Sequence, residues 1–366
     1  MPSISVIMTC YNLEKYIKEA ICSFFAQDYP GEMELIVVDD ASTDNSVKII
    51  EATFAEYAGC HKVKLVKHDR NRGVVGATDS GMRAAVYDWF VFADGDDIQK
   101  PNRCSLMAQR IAEHPGVKAV TMSFEQVNAE RVHLYYGSYL AGFGYTDSLP
   151  DCVYMDTVEK RADSSVHAGK EKLCVYGGCM GIHRSLYDRW GDLLAGGEDL
   201  PRFYQDPILE NRALLSVGFL GTKDISIEYR CHGANLFNNV RPCNGISDYM
   251  RNEVEASQKL TARLASYTMM CRDCRRALND CTLTDWSPAQ LQRTIEYYES
   301  HINGCLLRQK WWQWSWFHRL WYVISSSESL PPELKKWPIW RLLPLPVFAL
   351  LKWYQVKRRR KQSYRH

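Results

Sequence analysis

Short apolar runs alternate with stretches of helical spacing along the first hundred residues. Residues 5–9 form a β-type run, and Asn12 just beyond it is placed to cap a helix. Ile17, Ala20, Ile21 and Phe24 share one helical face, until Asp28-Tyr29-Pro30-Gly31 breaks the pattern. Residues 34–38 read as a second buried strand that closes on Asp39-Asp40. A helix starting near Asp44 carries Val47, Ile50 and Phe54, and Val63, Leu65 and His68 alternate as a third strand. Gly73 and Gly76 open a helix running to about Val86, and residues 89–93 (Trp-Phe-Val-Phe-Ala) make a fourth strand. The succession β-α-β-α-β-α-β predicts a doubly wound α/β fold with a mostly parallel sheet.

The strand ends carry the chemistry. They read Thr9-Cys10-Tyr11-Asn12, Asp39-Asp40-Ala41-Ser42 and Asp94-Gly95-Asp96-Asp97. In an open parallel sheet these ends lie on one edge, where ligands bind. The three carboxylates of residues 94–97 repel one another unless a cation neutralises them. Hard cations such as Mn²⁺ or Mg²⁺ take oxygen ligands and keep substrate phosphates in the same shell. The segment is therefore read as a metal–diphosphate site, with Gly95 letting a bulky ligand approach the backbone. An Asp-rich turn capping the helix after Pro101 is the plainer alternative. A G-x-G-x-x-G fingerprint is missing after the first strand, as is a P-loop lysine motif, which disfavours NAD binding and P-loop NTPase chemistry.

Composition narrows the class. The chain has 366 residues, 46% of them apolar, enough for one large domain and an appendage. A net charge of +2 does not suit a general nucleic-acid binder. The 13 cysteines are scattered, and Cys271-x-x-Cys274 has no second pair at zinc-site spacing, so reduced, cytosolic thiols are expected. Met1-Pro2-Ser3 leads straight into a strand, with no signal peptide expected.

Four motifs in order then resemble those of family 2 glycosyltransferases of the GT-A fold. Residues 5–12 (Ser-Val-Ile-Met-Thr-Cys-Tyr-Asn) are similar to that family's opening strand and loop, and residues 37–44 (Val-Val-Asp-Asp-Ala-Ser-Thr-Asp) to its second motif. Asn71-Arg72-Gly73 before a small-residue helix resembles the third, and residues 94–97 with Pro101 resemble the metal-binding DXD motif. The resemblance covers roughly residues 1–240 and implies a Rossmann-like GT-A domain. It implies that Thr9 and Asp40 contact the nucleobase, and that Tyr11, Asn12 and Asn71 belong to the nucleotide site. Asp94 would lie near the ribose or diphosphate, and Asp96 would ligate the metal. Family members often carry another residue at Gly95, which leaves the choice of ligand among Asp94, Asp96 and Asp97 open. Residues 229–235 (Tyr-Arg-Cys-His-Gly-Ala-Asn) resemble a segment whose histidine, here His232, completes the metal shell or touches the diphosphate.

Inverting sugar transfer needs a base to deprotonate the acceptor hydroxyl. Glu198-Asp199 is a literal ED pair, but Leu200-Pro201 breaks any helix behind it. Gln205-Asp206 precedes a helical run, with Arg212 six residues after Asp206 as in the family's ED motif, from which Gln205 departs in place of the usual Glu. Asp206 is therefore the expected base, with Asp at N-cap and Pro207 at N1 the structural alternative. Residues 135–145 read as a hairpin or an acceptor loop. Residues 175–182, rich in glycine, read as a strand that lets something approach closely, or as a tight strand crossing.

From residue 241 to 330 the pattern becomes helical. Ser287-Pro288-Ala289-Gln290 resembles a capping box, and Leu291, Ile295, Tyr298, Ile302 and Leu306 repeat at helical spacing. These helices are expected to pack on the first domain or on a second copy in a homo-oligomer. Trp311, Trp312, Trp314, Trp316, Trp321 and Tyr322 suit a membrane interface. Residues 331–366 add a Trp/Leu/Pro stretch and a basic run, Lys357 to Lys361. Arg341 would cost roughly 2.5–3.5 kcal/mol at a bilayer centre, which favours an interfacial segment over a span. The expectation is an inverting, Mn²⁺- or Mg²⁺-dependent hexosyltransferase-like enzyme, peripheral on the cytoplasmic face of the membrane. It would move sugar from a nucleotide-sugar such as a UDP-sugar to a saccharide or lipid-linked acceptor, with no nucleic-acid partner. A nucleotidyltransferase and an inactive GT-A binding module are the rival readings.

Overall fold

The computed structural model describes residues 1–137, 140–141, 151–155, 172–173, 176–193, 205–232 and 246–311, with positions 314, 315, 317 and 319. The expected acceptor-loop residues 142–145, the Glu198-Asp199 pair, residues 233–235, Trp312, Trp316, Trp321, Tyr322 and the 331–366 tail lie outside the described residues.

The first half follows the expected succession: β1 (Ile4–Cys10), α1 (Ile17–Phe25), β2 (Met33–Asp39), α2 (Ser46–Glu56), β3 (Lys62–Lys67), α3 (Gly73–Ala84) and β4 (Trp89–Asp94). Next come β5 (Ile98–Gln99), α4 (Arg103–Glu113), β6 (Ala119–Asn128), β7 (His133–Gly137), β8 (Leu140–Ala141), β9 (Cys152–Met155) and β10 (Lys172–Leu173). A 3-10 turn (Gly177–Cys179) leads into β11 (Met180–His183), α5 (Arg184–Trp190), α6 (Asp206–Ser216) and β12 (Phe219–Cys231). Two long helices close the described chain, α7 (Ile246–Asn279) and α8 (Pro288–Trp311).

The main sheet runs β3-β2-β1-β4-β11-β6-β12-β5, with β7 against β6 and β9 against β12. Strands β1 to β4 are parallel, and β11 enters antiparallel between β4 and β6. The chain moves outward from β1 through β2 to β3, then returns to the other side of β1 with β4. That reversal opens a crevice at the strand C-termini. Strand β2 is buried at every position, as a strand covered on both faces must be. Edge strand β3 is half-exposed and carries Lys62, Lys64 and Lys67, charges that discourage pairing with another sheet.

Successive residues of each strand supply opposite cores. Val6, Met8, Leu35, Val37 and Val91 face α1, α2 and α4 through Ile17, Phe24, Ile50 and Met107. Ile7, Ile36, Val38 and Phe90 face α3 and α6 through Met82, Ile208 and Leu209. Asn12 does not cap α1, which begins five residues later at Ile17. Its backbone turns left-handed, with φ 54°, and its side-chain oxygen accepts from the Thr43 amide at 2.8 Å. A tertiary amide has outcompeted the local one. Residues 133–137 form β7, which pairs antiparallel with the preceding β6, and Leu140-Ala141 pair with β10, so the described part of residues 135–145 is not a hairpin on itself.

Helices α7 and α8 pack on the chain's own first domain. Met270, Cys274, Ala277, Leu291, Ile295 and Tyr298 enclose Trp190 of α5 and Leu215 of α6. The expected capping box is present: the Ser287 amide donates to Gln290 Oε1 at 2.9 Å. The apolar stripe of α8 rotates near its end, so that Cys305 is buried and Leu306 is exposed. No helix among the described residues is long and apolar enough to cross a membrane.

Candidate active site

Register places the polar strand ends side by side. Thr9 lies opposite Asp94, and Cys10 opposite Asp39. Thr9 Oγ1 donates to Asp94 Oδ1 at 3.4 Å. The Gly95 amide donates to the Thr9 carbonyl at 2.9 Å. A Cβ on Gly95 would sit 2.8 Å from that carbonyl and 2.9 Å from Ile17 Cδ1. Gly95 therefore admits β1 and α1 rather than a ligand, which corrects the sequence reading.

The close approach expected of residues 175–182 is made by carboxylates. A Cβ on Gly178 would meet Asp94 Oδ2 at 3.0 Å, and one on Gly177 would meet Asp206 Oδ1 at 2.6 Å. The diglycine thus lies between Asp94 and Asp206 and brings β4 and α6 to one crevice. Gln205 takes the N-cap position, and Asp206 is the first helical residue. The Asp206 carboxylate accepts from the Gly177 backbone and from its own amide.

Asp96 turns toward His232, whereas Asp97 keeps its Oδ2 beside the diglycine, 3.6 Å from where a Cβ on Gly178 would sit. Asp96 Oδ2 lies 2.9 Å from His232 Nε2. The His232 ring stacks on Tyr16 at 4.5 Å, and the Arg230 guanidinium lies 4.8 Å from that same tyrosine ring. Asp97 Oδ1 accepts from the Arg230 amide at 2.8 Å, whereas its buried Oδ2 has no hydrogen-bond partner.

This crowding shifts the acids. Burial pushes Asp94 up to about 7, with Asp96 and Asp206 adding repulsion. Burial and the charge of Asp96 hold Asp97 well above the usual carboxylate range. Asp206 is raised to about 6, again by burial, against the two backbone hydrogen bonds that favour its charged form. Arg103, missed in the sequence, is fully buried behind the cluster. It donates to the carbonyls of Phe92 and Gly178, each at 2.7 Å, and so ties β4 to the diglycine turn. An arginine two residues after Pro101, next to an acidic strand end, was the available signal.

Among the described residues, no three His, Cys, Asp or Glu side chains converge as a ready metal cage. The Asp96–His232 pair alone offers an oxygen and a nitrogen, which suits a hard cation beside phosphates because such an ion uses few protein ligands.

The second cluster lies where β2 ends. Asp40 Oδ1 accepts from the Arg72 amide at 2.7 Å and lies 2.7 Å from His68 Nδ1; Asp40 Oδ2 accepts from the Gly73 amide at 2.8 Å. His68 Nε2 in turn lies 2.8 Å from Ser80 Oγ. Asn71 Oδ1 accepts from Gly73 at 3.2 Å. Asp40, Asn71 and the start of α3 are thus one unit. Asn12 ties the β1–α1 loop to the β2–α2 loop, and Tyr11 stands 40% exposed beside it. Arg212 is turned away from the crevice. Its Nε donates to Asp273 of α7 at 2.7 Å.

A family model described as Glycosyl transferase family 2 matches residues 5–191, half of the chain. Poly-β-1,6-N-acetyl-D-glucosamine synthase of Staphylococcus epidermidis is 30% identical over 118 residues, 32% of this chain and 27% of that protein. The succinoglycan biosynthesis protein ExoO of Rhizobium meliloti is 31% identical over 130 residues, 36% of this chain and 35% of that protein. The chain thus spans about a third of the length of these curated relatives. Among solved structures, S. aureus TarS 1-349 in complex with UDP superposes with a TM-score of 0.54 at 17% identity, over 99% of this chain and 91% of TarS. That likeness is one of fold.

Proposed function

Starting from the fact that this chain belongs to glycosyl transferase family 2, we propose that it is an inverting glycosyltransferase in which Asp206 is the general base. The single observation that carries this reading is the diglycine turn, which sets the raised carboxylate of Asp206 across from Asp94 in one crevice. In the reaction an acceptor hydroxyl attacks the anomeric carbon opposite the leaving group. The new C–O bond forms, the bond to the nucleoside diphosphate breaks, and the hydroxyl proton passes to Asp206. A base raised to about 6 is ionised at neutral pH and still basic enough to take that proton.

The other residues divide by place. Thr9, Tyr11, Asn12, Asp40 and Asn71 form the nucleotide end, and Asp94 faces the ribose or diphosphate. Asp96 and His232 would hold Mn²⁺ or Mg²⁺. Such an ion supplies positive charge to the departing diphosphate. The donor is a UDP-sugar, as suits a fold shared with a protein crystallised with UDP. The acceptor is a saccharide or lipid-linked saccharide, in keeping with the polysaccharide names among the relatives. The 331–366 tail, rich in Trp, Leu and basic residues, attaches the enzyme peripherally to the cytoplasmic membrane face.

A UDP-sugar screen with product analysis tests the reading. Free UDP should appear in step with the glycosylated product. Activity should fall to background with a chelator, and Asp96→Asn should lose most turnover. A product that retains the nucleotide would indicate a nucleotidyltransferase. Full activity of Asp96→Asn without added metal would remove the metal assignment.

A further inference from the structure

Helix α6 is buried along most of its length, from Asn211 to Ser216 without a break. Ile208, Leu209, Ala213 and Leu214 join the core against the sheet, while Leu215 joins the core built by α7 and α8. Polar contacts to the two long helices are as specific as the apolar ones. Arg212 and Asp273 are both buried and paired at 2.7 Å. The remaining Arg212 nitrogens donate to the carbonyls of Gly191 at 2.8 Å and Asp192 at 3.2 Å. Arg276 of α7 donates to the Trp190 carbonyl at 3.0 Å, and Trp190 Nε1 donates to Ser216 Oγ at 2.7 Å. Tyr298 of α8 donates to Asn211 Oδ1 at 2.9 Å.

We propose that α7 and α8 are the seat of the helix that carries Asp206, with Asp273 as a positioning residue acting through Arg212. A buried ion pair contributes little net stability compared with apolar residues of similar shape, but it can fix one register where apolar contacts tolerate several. Register along α6 matters because each residue is a 1.5 Å rise, and its first residue is the one in the crevice. A misplacement of about 1 Å at a reacting group can cost about 10²-fold in rate. The nucleotide-end residues Thr9, Asp40 and Asn71 make these hydrogen bonds within β1, β4 and α3 and their adjoining loops, apart from α7 and α8. The two helices therefore govern the base and leave donor binding alone.

The inference rests on Asp206 being the base, and a double-mutant cycle separates the two claims. Asp273→Asn in the full chain should lower transfer turnover about 10- to 100-fold, while UDP affinity by calorimetry stays within about twofold. In the Asp206→Asn background the same substitution should change residual turnover by less than about twofold. If Asp273→Asn fails to fold, the Arg212→Met/Asp273→Leu double variant, which removes both members of the fully buried pair and leaves only the partly exposed Arg272 and Arg276 without that carboxylate, is read in the same way. An equal loss in both backgrounds, or a weakening of UDP binding that matches the loss of turnover, overturns the positioning role. Wild-type turnover of Asp206→Asn overturns the base assignment and this inference with it.

Discussion

Gly177 and Gly178 are the smallest side chains of the site, and the geometry depends on their size. An added Cβ at 177 would meet Gln205 Nε2 at 2.5 Å and Asp206 Oδ1 at 2.6 Å, so the carboxylate would have to leave its place. Gly177→Ala is expected to cut turnover by about 10² with UDP affinity nearly unchanged, a split that steady-state kinetics and calorimetry read together. Unchanged turnover would mean that Asp206 need not sit where it does. Titration gives a second test at this scale. Folded Asp94 keeps its proton to about 7, whereas its ordinary value is 3.8. Between those values the folded form binds more protons, so stability is highest at low pH within the window and falls as pH rises. Asp97 and Asp206 act in the same direction. Metal-free protein should melt several degrees lower at pH 8 than at pH 5, and Asp94→Asn should flatten the slope. A melting temperature that climbs across this range would contradict the crowded-acid account.

At the scale of elements, what was legible followed from periodicity. The strands and helices up to β4 show either continuous apolar runs or a clear helical face, and all appear within a few residues of expectation. The capping box before α8 was legible because both its partners are local. What failed was tertiary. Asn12 has the chemistry of a cap, but Thr43 of another loop claims it. Gly95 read as ligand space because sequence does not show that β1 and α1 fill it. Arg212 had the spacing of a site residue, yet its partner Asp273 is 61 positions away. The position of Arg103 after Pro101 and of His68 at the end of a strand hinted at the site, but their partners exist only once β4, the diglycine turn and α3 are assembled. Strand β11 is four residues long and enters antiparallel, too short for any rhythm to declare its direction.

At the scale of the whole molecule, the crevice has two halves. The β1–β4 half carries the proposed nucleotide end, and the half built from β11, α6 and β12 carries Asp206 and His232. The proposed membrane attachment rests on the 331–366 tail. Its basic run contributes about 1 kcal/mol per charge near an anionic leaflet and is screened by salt, whereas its apolar part is not. Full-length protein should float with liposomes containing anionic lipid and be only partly released by high salt. Protein truncated after Ser329 should stay soluble and still bind UDP. Equal flotation of the two would assign membrane binding elsewhere or to nothing.

The central claim is that Asp206 takes the acceptor's proton, and Asp206→Asn tests it most directly because it keeps shape and removes basicity. Transfer turnover should fall by about 10²–10⁴, UDP affinity should stay within about twofold, and the wild-type acid limb near pH 6 should disappear from the residual rate. A variant that transfers sugar at the wild-type rate, with the same acid limb, would contradict the account.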